Sequence, residues 1–366
     1  MRVILNCSLL TTHGVDGIER VMKLGKISPE KLQELVFPYQ GKKRSEVLYS
    51  ASLGRDCGII DCTGDLIAVT CDPITGTTTH IGSFAVHVVA NDLICAGAEP
   101  VGILVSIILP KHSDENLIKT IMNDVDNECQ KLGIAILGGH TELSDAVNRT
   151  LIHCSGIGRV NRENIPDVEK IQSGDSIVIT KGAGIEGTAI LANIYDKELS
   201  ARYGQGFTKK AQHFINLLSV VPEGKIAMKH RPHCLHDATE GGLLGALWEV
   251  CAGQNFGFTI YEQPIFLPWE TKLICDHYQL DPFKLISSGT LIIFLPNPDP
   301  LLEDLHQADI PAFLIGTITD SQDKILIHTD GSNEMITTCP QDELWRITEN
   351  PSYIPLFEKG GSGGIF

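Results

Sequence analysis

Three carboxylates sit where the chain is set to turn: Asp56 in Gly54-Arg55-Asp56, Asp72 in Thr70-Cys71-Asp72-Pro73, and Asp92 in Asn91-Asp92. Each alone is an ordinary turn or cap residue, because an Asp side chain hydrogen-bonds readily to its own backbone. Brought together at one sheet edge, they would form a hard-oxygen site for magnesium, completed by waters and phosphate oxygens. Gly138-Gly139-His140-Thr141-Glu142 follows an apolar run. Its paired glycines would let backbone N–H groups approach a phosphate, or would simply make a tight turn. His140 fits a proton donor, a phosphate contact or a turn residue, and Glu142 fits a metal or proton role. His236-Asp237-Ala238-Thr239-Glu240-Gly241-Gly242-Leu243 ends a loop and opens a helix, so its glycines and N-terminal amides suit an anion. An ordinary helix cap by Asp237 or Thr239 is the alternative.

Other patterns carry less. Gly182-Ala183-Gly184-Ile185-Glu186-Gly187 is a G-x-G-x-x-G between a predicted strand and a helix. A dinucleotide fold wants a second strand ending in an acidic residue about twenty residues later, whereas Leu199 to Leu218 continues as polar, helical sequence. No G-x-x-x-x-G-K-S/T occurs, which excludes a P-loop as a sequence match. His230, His233 and His236, with Cys234 nearby, have the spacing of a metal cluster but lack a recognisable four-ligand zinc set.

The elements that must position these groups alternate. A helix is predicted from Ser28, a cap with Pro29 in the first turn, to about Val36. Strands are predicted at Cys57 to Asp61, Leu66 to Cys71 and Val101 to Leu109, the last as a run buried on both faces. Helices are predicted at Ser83 to Cys95 and Asp114 to Leu132, the second leading into Ile134 to Leu137. The turn Ser173-Gly174-Asp175 precedes a strand at Ile177 to Thr180, which puts a domain boundary near residue 165. Beyond it, helices at Thr188 to Asn193, Lys209 to Leu218 and Gly242 to Ala252 accompany strands near Phe256 to Tyr261, Leu291 to Leu295 and Ile325 to His328. The 366 residues thus divide into an extension at 1–21, a first domain at 22–164, a second at 165–350, and a glycine-rich tail at 351–366.

Composition narrows the function classes. Lys and Arg total 29 against 45 for Asp and Glu, a formal charge of -16 that opposes a nucleic-acid partner. Lys42-Lys43-Arg44 is the dense basic cluster, read as a solvated turn or a phosphate contact. No apolar run reaches the about 18 residues that a membrane span needs. Eleven scattered cysteines without a C-x-x-C pair suit reduced thiols in a cytoplasmic protein.

Taken in order, five blocks resemble the aminoimidazole ribonucleotide (AIR) synthetase superfamily, its hydrogenase-maturation, HypE-like branch in particular. They are Gly54-Arg55-Asp56; Thr70 to Gly76; Ala85 to Asp92 with Gly97-Ala98-Glu99-Pro100; Gly138 to Glu142; and His236 to Leu243. Asp281-Pro282 and Leu285 to Leu291 are similar to the HypE-like branch. The resemblance implies an α+β, two-domain fold whose N-terminal mixed sheets pair across a homodimer, with a layered C-terminal domain and ATP in the cleft between. It implies phosphorylation of an amide or carbonyl oxygen of a small-molecule or protein-borne acceptor. It implies magnesium on Asp56, Asp72 and Asp92, with Asn91, Gly138, Gly139, Thr239 and Gly241 along the nucleotide. His140, Glu142 and Asp237 are the implied catalytic groups.

Three departures matter. The HypE branch ends in a cysteine that carries a carbamoyl group, whereas the last cysteine here is Cys339, so the expected acceptor is not a C-terminal thiol of the chain itself. Its N-terminal glycine-rich segment is replaced by Gly25-Lys26-Ile27-Ser28-Pro29, and His140 stands where several relatives carry an acid. A small-molecule kinase resembling thiamine-monophosphate kinase and a non-catalytic dimeric scaffold remain as alternatives.

Overall fold

The computed structural model describes residues 28–348 apart from 40, 51 and 164, so the expected extension at 1–21 and the tail at 351–366 lie outside the described residues. Helix α1 (Pro29–Leu35) begins as predicted, with the Ser28 hydroxyl accepting from the Lys31 N–H and Pro29 in the first turn.

A six-stranded sheet follows, formed by β1 (Val47–Tyr49), β2 (Gly58–Cys62), β3 (Asp65–Ile74), β4 (Ala98–Pro110), β5 (Ala135–Ser144) and β6 (Leu151–Val160). Its spatial order is β1-β2-β3-β6-β4-β5. Neighbours are antiparallel except β4 and β5, which run parallel. A parallel pair needs a crossover, and helix α3 (Glu115–Leu132) supplies it. Asp114 caps α3 by accepting from the Leu117 N–H at 2.9 Å, and Gly133 ends it at φ +71°. Helix α2 (Ile81–Cys95) packs beside α3 on the same face of the sheet.

The expectation that β4 is buried on both faces is wrong. Ile103, Val105, Ile107 and Leu109 enter the core, while Val101 and Leu104 are exposed on the other face. Helices cover one face only, so the strand alternates with period two. The edge strand β5 is exposed along almost its whole length, Leu137 and Leu143 included. One chain therefore leaves this sheet with an open, partly apolar face.

The second sheet has the order β13-β12-β9-β11-β7-β10-β8. Its strands are β7 (Ser176–Thr180), β8 (Cys234–Asp237), β9 (Gly257–Tyr261), β10 (Leu291–Leu295), β11 (Ala312–Thr319), β12 (Lys324–Ile327) and β13 (Asn333–Met335). The pair β9 and β12 is parallel, and the other neighbours are antiparallel. Helices α4 (Ile185–Ile194), α5 (Asp196–Tyr203), α6 (Gln205–Gln212), α7 (Val221–Ala227), α8 (Gly242–Gly253), α9 (Trp269–Tyr278), α10 (Asp299–Gln307) and α11 (Glu343–Thr348) complete the described chain. Every residue of β7, β8 and β10 is buried. Their alternate side chains serve two cores: Val178, Leu291 and Ile293 cluster with Val86, Ala90 and Ile94 of α2, and Ile179, Ile292 and Phe294 with Leu243 and Leu247 of α8.

Helix α2 is thus shared by both sheets, which explains why it is apolar nearly all round. It meets α7 so closely that a Cβ on Gly224 would lie 2.4 Å from Ile94 Cγ1. Its fully buried Asn91 locks the halves together. The Asn91 amide donates to the Leu218 carbonyl at 2.9 Å, and its Oδ1 accepts from the Val220 N–H at 2.8 Å. Lys181 grips the same loop, donating to the Leu217 and Ser219 carbonyls at 2.8 and 2.6 Å and pairing with Glu223 at 2.6 Å. Among the described residues no helix is long and apolar enough to cross a membrane.

Truncation Asn91→Ala would strand a buried carbonyl and a buried N–H. It is expected to cost about 2–4 kcal/mol in urea unfolding; a change below about 0.5 kcal/mol, as at an ordinary surface site, would refute the clamp.

Candidate functional site

A cavity of about 1030 Å³ opens between the two sheets, near the upper end for ligand sites. Four aspartates reach it from four elements. Asp56 follows a turn fixed by Arg55, whose guanidinium grips Asp167 through Nε and Nη2 at 2.9 and 2.8 Å and lies 4.6 Å over the Tyr49 ring. Asp72 comes from β3, Asp92 from α2 and Asp237 from the last position of β8.

The Thr70 hydroxyl donates to Asp92 Oδ2 at 2.6 Å, but this does not offset burial beside like charges. Burial first, then Asp72, Asp237 and Asp56, push the Asp92 carboxyl well above the usual carboxylate range. Asp237 is pushed up to about 7 by burial and by Asp56, against the pull of His236. Both Asp237 carboxylate oxygens are buried without a hydrogen-bond partner. Ligand atoms of Asp56, Cys95 and Asp237 lie within 4.8 Å of one another. A buried, unpartnered carboxylate among others fits a cation held by oxygen ligands. His236 approaches Asp56 at 3.3 Å through Nε2, while its Nδ1 lies 2.7 Å from the Asp237 carbonyl. Burial opposes charge on this ring, but Asp56 and Asp237 outweigh it and raise its pKa.

Of the other residues predicted for the site, Thr239 lines the cavity. Asn91 does not: it spends both polar groups on the second domain's backbone, which corrects its expected place along a nucleotide. Gly241 lies outside the cavity lining and gives its N–H to Asp342 Oδ2 at 2.6 Å. Gly138, Gly139, His140 and Glu142 lie on β5, outside the cavity lining of their own chain. His140 and Glu142 face each other there at 3.2 Å, both exposed. A Cβ at Gly139 would fall 1.8 Å from the Val105 carbonyl oxygen, so strand packing alone demands that glycine. The three histidines form no common centre: His230 meets Asp304 and His233 meets Asp175, each at 2.8 Å, while His236 turns to Asp56. Gly182 is likewise structural, since a Cβ would lie 2.5 Å from the Phe266 carbonyl oxygen.

Sequence reading missed several lining residues: Glu186, Ile190, Ile286, Ser288, Arg149, Leu344 and Trp345. Glu186 was visible only as a letter inside the glycine motif. Trp345 donates its indole N–H to Glu240 at 2.7 Å, bringing α11 to the cavity from the far end of the described chain.

The raised carboxyls have a thermodynamic signature. Between about pH 4, where free aspartate titrates, and pH 7, the folded protein keeps protons that the unfolded chain has released. Stability from these groups therefore falls as pH rises through that window. Metal-free Asp237→Asn is expected to melt above the parent by a margin that is larger at pH 8 than at pH 5. A margin independent of pH would show that Asp237 carries no such strain.

Residues 54–160 match the family described as AIR synthase related protein, N-terminal domain, and residues 172–329 match its C-terminal domain. The chain is 29% identical over 282 residues to a protein of Methanocaldococcus jannaschii named for hydrogenase expression/formation, covering 76% of this chain and 82% of the relative. It is 25% identical over 280 residues to carbamoyl dehydratase HypE of Rhodobacter capsulatus, covering 75% and 79%. The solved structure of hydrogenase maturation protein HypE in complex with ATP shares the fold, with a TM-score of 0.64 at 21% identity over 88% of this chain and 97% of that one. Two α+β domains built around a shared helix, matched in order by both family domains, place this chain in the AIR synthase related protein family.

Proposed function

We propose that this protein is an ATP-dependent enzyme that phosphorylates an amide or carbonyl oxygen on a small-molecule or protein-borne acceptor. The observation that carries this reading is the Asp237 carboxylate, buried and unpartnered in a wall it shares with Asp56, Asp72 and Asp92. Family membership, the carbamoyl dehydratase relative and the ATP complex of a protein with the same fold support it. Asp56, Asp72 and Asp92 would hold magnesium, with Asp237 added to the set. Magnesium, when bound, supplies the positive charge that a triphosphate needs in an acidic cleft.

The chain's own groups do the rest by positioning. Thr239 offers a hydroxyl, and Arg149 brings the guanidinium of the lining, a natural contact for phosphate oxygens. Val88, Ile190 and Ile286 give the cavity apolar walls that exclude water from a reactive phosphorylated product.

The open face of the first sheet supports a homodimer. Val101 and Leu104 on β4 and Leu137 on the neighbouring β5 leave exposed apolar side chains there. Gly138, Gly139, His140 and Glu142 lie on that same edge strand, so in this reading they serve the cavity of a second copy.

Calorimetric titration with ATP, with and without magnesium, followed by ADP and phosphate assays against a panel of amides, tests the function. Magnesium-dependent binding with acceptor-dependent ADP release is expected, and no binding at millimolar ATP would leave a scaffold. Phosphate kept on the product would mark a kinase, and phosphate released a dehydratase or ligase. Asp72→Asn is expected to lower magnesium-dependent turnover on the order of 100-fold with the fold intact; unchanged turnover would remove Asp72 from the metal set. Leu137→Lys is expected to shift sedimentation equilibrium from dimer to monomer, and an unchanged mass would exclude this face as the interface.

A further inference from the structure

We infer that Glu186 is the acceptor-side base of the cavity: its carboxylate receives an N–H of the acceptor amide and takes that proton as the amide oxygen is phosphorylated. The inference rests on the amide-phosphorylating reading above. Glu186 stands in the first turn of α4, is 6% exposed and lines the cavity, yet belongs to none of the elements that carry the four aspartates.

Two other buried glutamates have a cation beside them. Glu223 pairs with Lys181 at 2.6 Å and Glu270 with Lys210 at 3.0 Å. Among the described residues no Lys, Arg or His pairs with Glu186. The structure gives it Ser288, whose main-chain N–H donates to Oε2 at 3.3 Å. The groups around it reinforce the cost of charge: burial chiefly, then Asp342 and Glu240, hold the carboxyl at about 7, with Ser288 opposing. A structural role would be met as well by an apolar side chain packed beside Ile190 and Ile286, which also line this cavity. A carboxylate without a cation is also a poor neighbour for a triphosphate, because like charges repel in a site of low dielectric. It suits a neutral partner that offers an N–H, and a carboxyl titrating near 7 is matched to proton transfer at neutral pH.

The step balances. The amide oxygen attacks the γ-phosphorus and the bond to the β,γ-bridging oxygen breaks, its electron pair leaving on ADP. The amide N–H pair becomes the new C=N bond, the former C=O π pair becomes the O–P bond, and the proton passes to Glu186. The products are an O-phosphoryl imidate and ADP.

The test compares the full chain with Glu186→Gln and Glu186→Asp, using magnesium ATP and S-carbamoyl-N-acetylcysteine as the probe amide, from pH 5.5 to 9. Glutamine can still accept from the Ser288 N–H, so the thermal midpoint should hold. Expected are a kcat lower by about 10²–10³-fold for Glu186→Gln, an ATP KM within about twofold, loss of the acidic limb near pH 7, and partial recovery in Glu186→Asp. A Glu186→Gln enzyme that keeps the parent's kcat and acidic limb overturns the assignment and leaves the amide reading standing. Parallel losses of midpoint, ATP affinity and kcat overturn it in favour of a packing role. A parent that binds ATP but releases no ADP with this probe or with any member of the amide panel overturns the amide reading and this assignment together.

Discussion

Everything in this molecule has to accommodate the crowding of Asp56, Asp72, Asp92 and Asp237 on one wall between two sheets. Two unit charges 4 Å apart repel by about 4 kcal/mol at an effective dielectric of 20, and burial adds a desolvation cost for each. Burial and like charge raise the carboxyl pKa of Asp92 and Asp237, which favours their neutral forms. Hydrogen bonds give no relief at Asp237, whose oxygens have none. Such an arrangement is held against its own repulsion by the rest of the fold, which suits a site completed by something positive.

Helix α2 does most of the holding. Asn91 and Asp92 are adjacent, so on a helix of 3.6 residues per turn their side chains diverge by about 100°. One reaches the backbone at Leu218 and Val220, the other the cavity. The residue that ties the domains together thus also fixes the angle at which its neighbour enters the site. Lys181 and Glu223 hold the far side of that loop, so the clamp is anchored on both halves. Arg55 does the same for Asp56 by gripping Asp167 across the junction.

Sequence periodicity reported local structure well and spatial neighbourhood poorly. The α1 cap at Ser28, the amphipathic α3 and the β-branched runs of β2, β3 and β10 carry their own signals, and each formed where expected. Strands β6 and β8 did not announce themselves: β6 alternates through Ser155, Gly156 and Gly158, and β8 is four residues of mixed polarity. The open face of β4 was hidden because its outward row, Val101, Leu104 and Ile108 with Ser106, is mostly apolar too. Asp56, Asp72 and Asp92 were legible as candidates because carboxylates at strand ends and helix starts point to chemistry, and Asp237 because its segment opens a helix with paired glycines; all four line the cavity. Asn91 was misplaced because sequence cannot say which of two neighbouring polar residues turns inward. Glu186 and Trp345 were missed because nothing local distinguishes them; only the closing of α4 and α11 over the cleft does.

The charge of the lining has a consequence for how the proposed substrates must bind. Asp56, Asp72, Asp92, Glu186, Asp237 and Glu240 contribute carboxyls, against the single guanidinium of Arg149. A triphosphate entering such a cleft meets net repulsion unless cations arrive with it, and cations collected by the aspartates gain further from phosphate oxygens. On the proposed reading the two affinities are therefore coupled, and the coupling is reciprocal by linkage: whatever factor magnesium adds to nucleotide binding, nucleotide adds to magnesium. Glu186 escapes that logic, since neither Lys, Arg nor His neutralises it among the described residues and its burial favours the protonated form. The same acidic wall can then serve two ends of one reaction, gathering cations where the aspartates crowd and exchanging a proton where a glutamate stands apart from them.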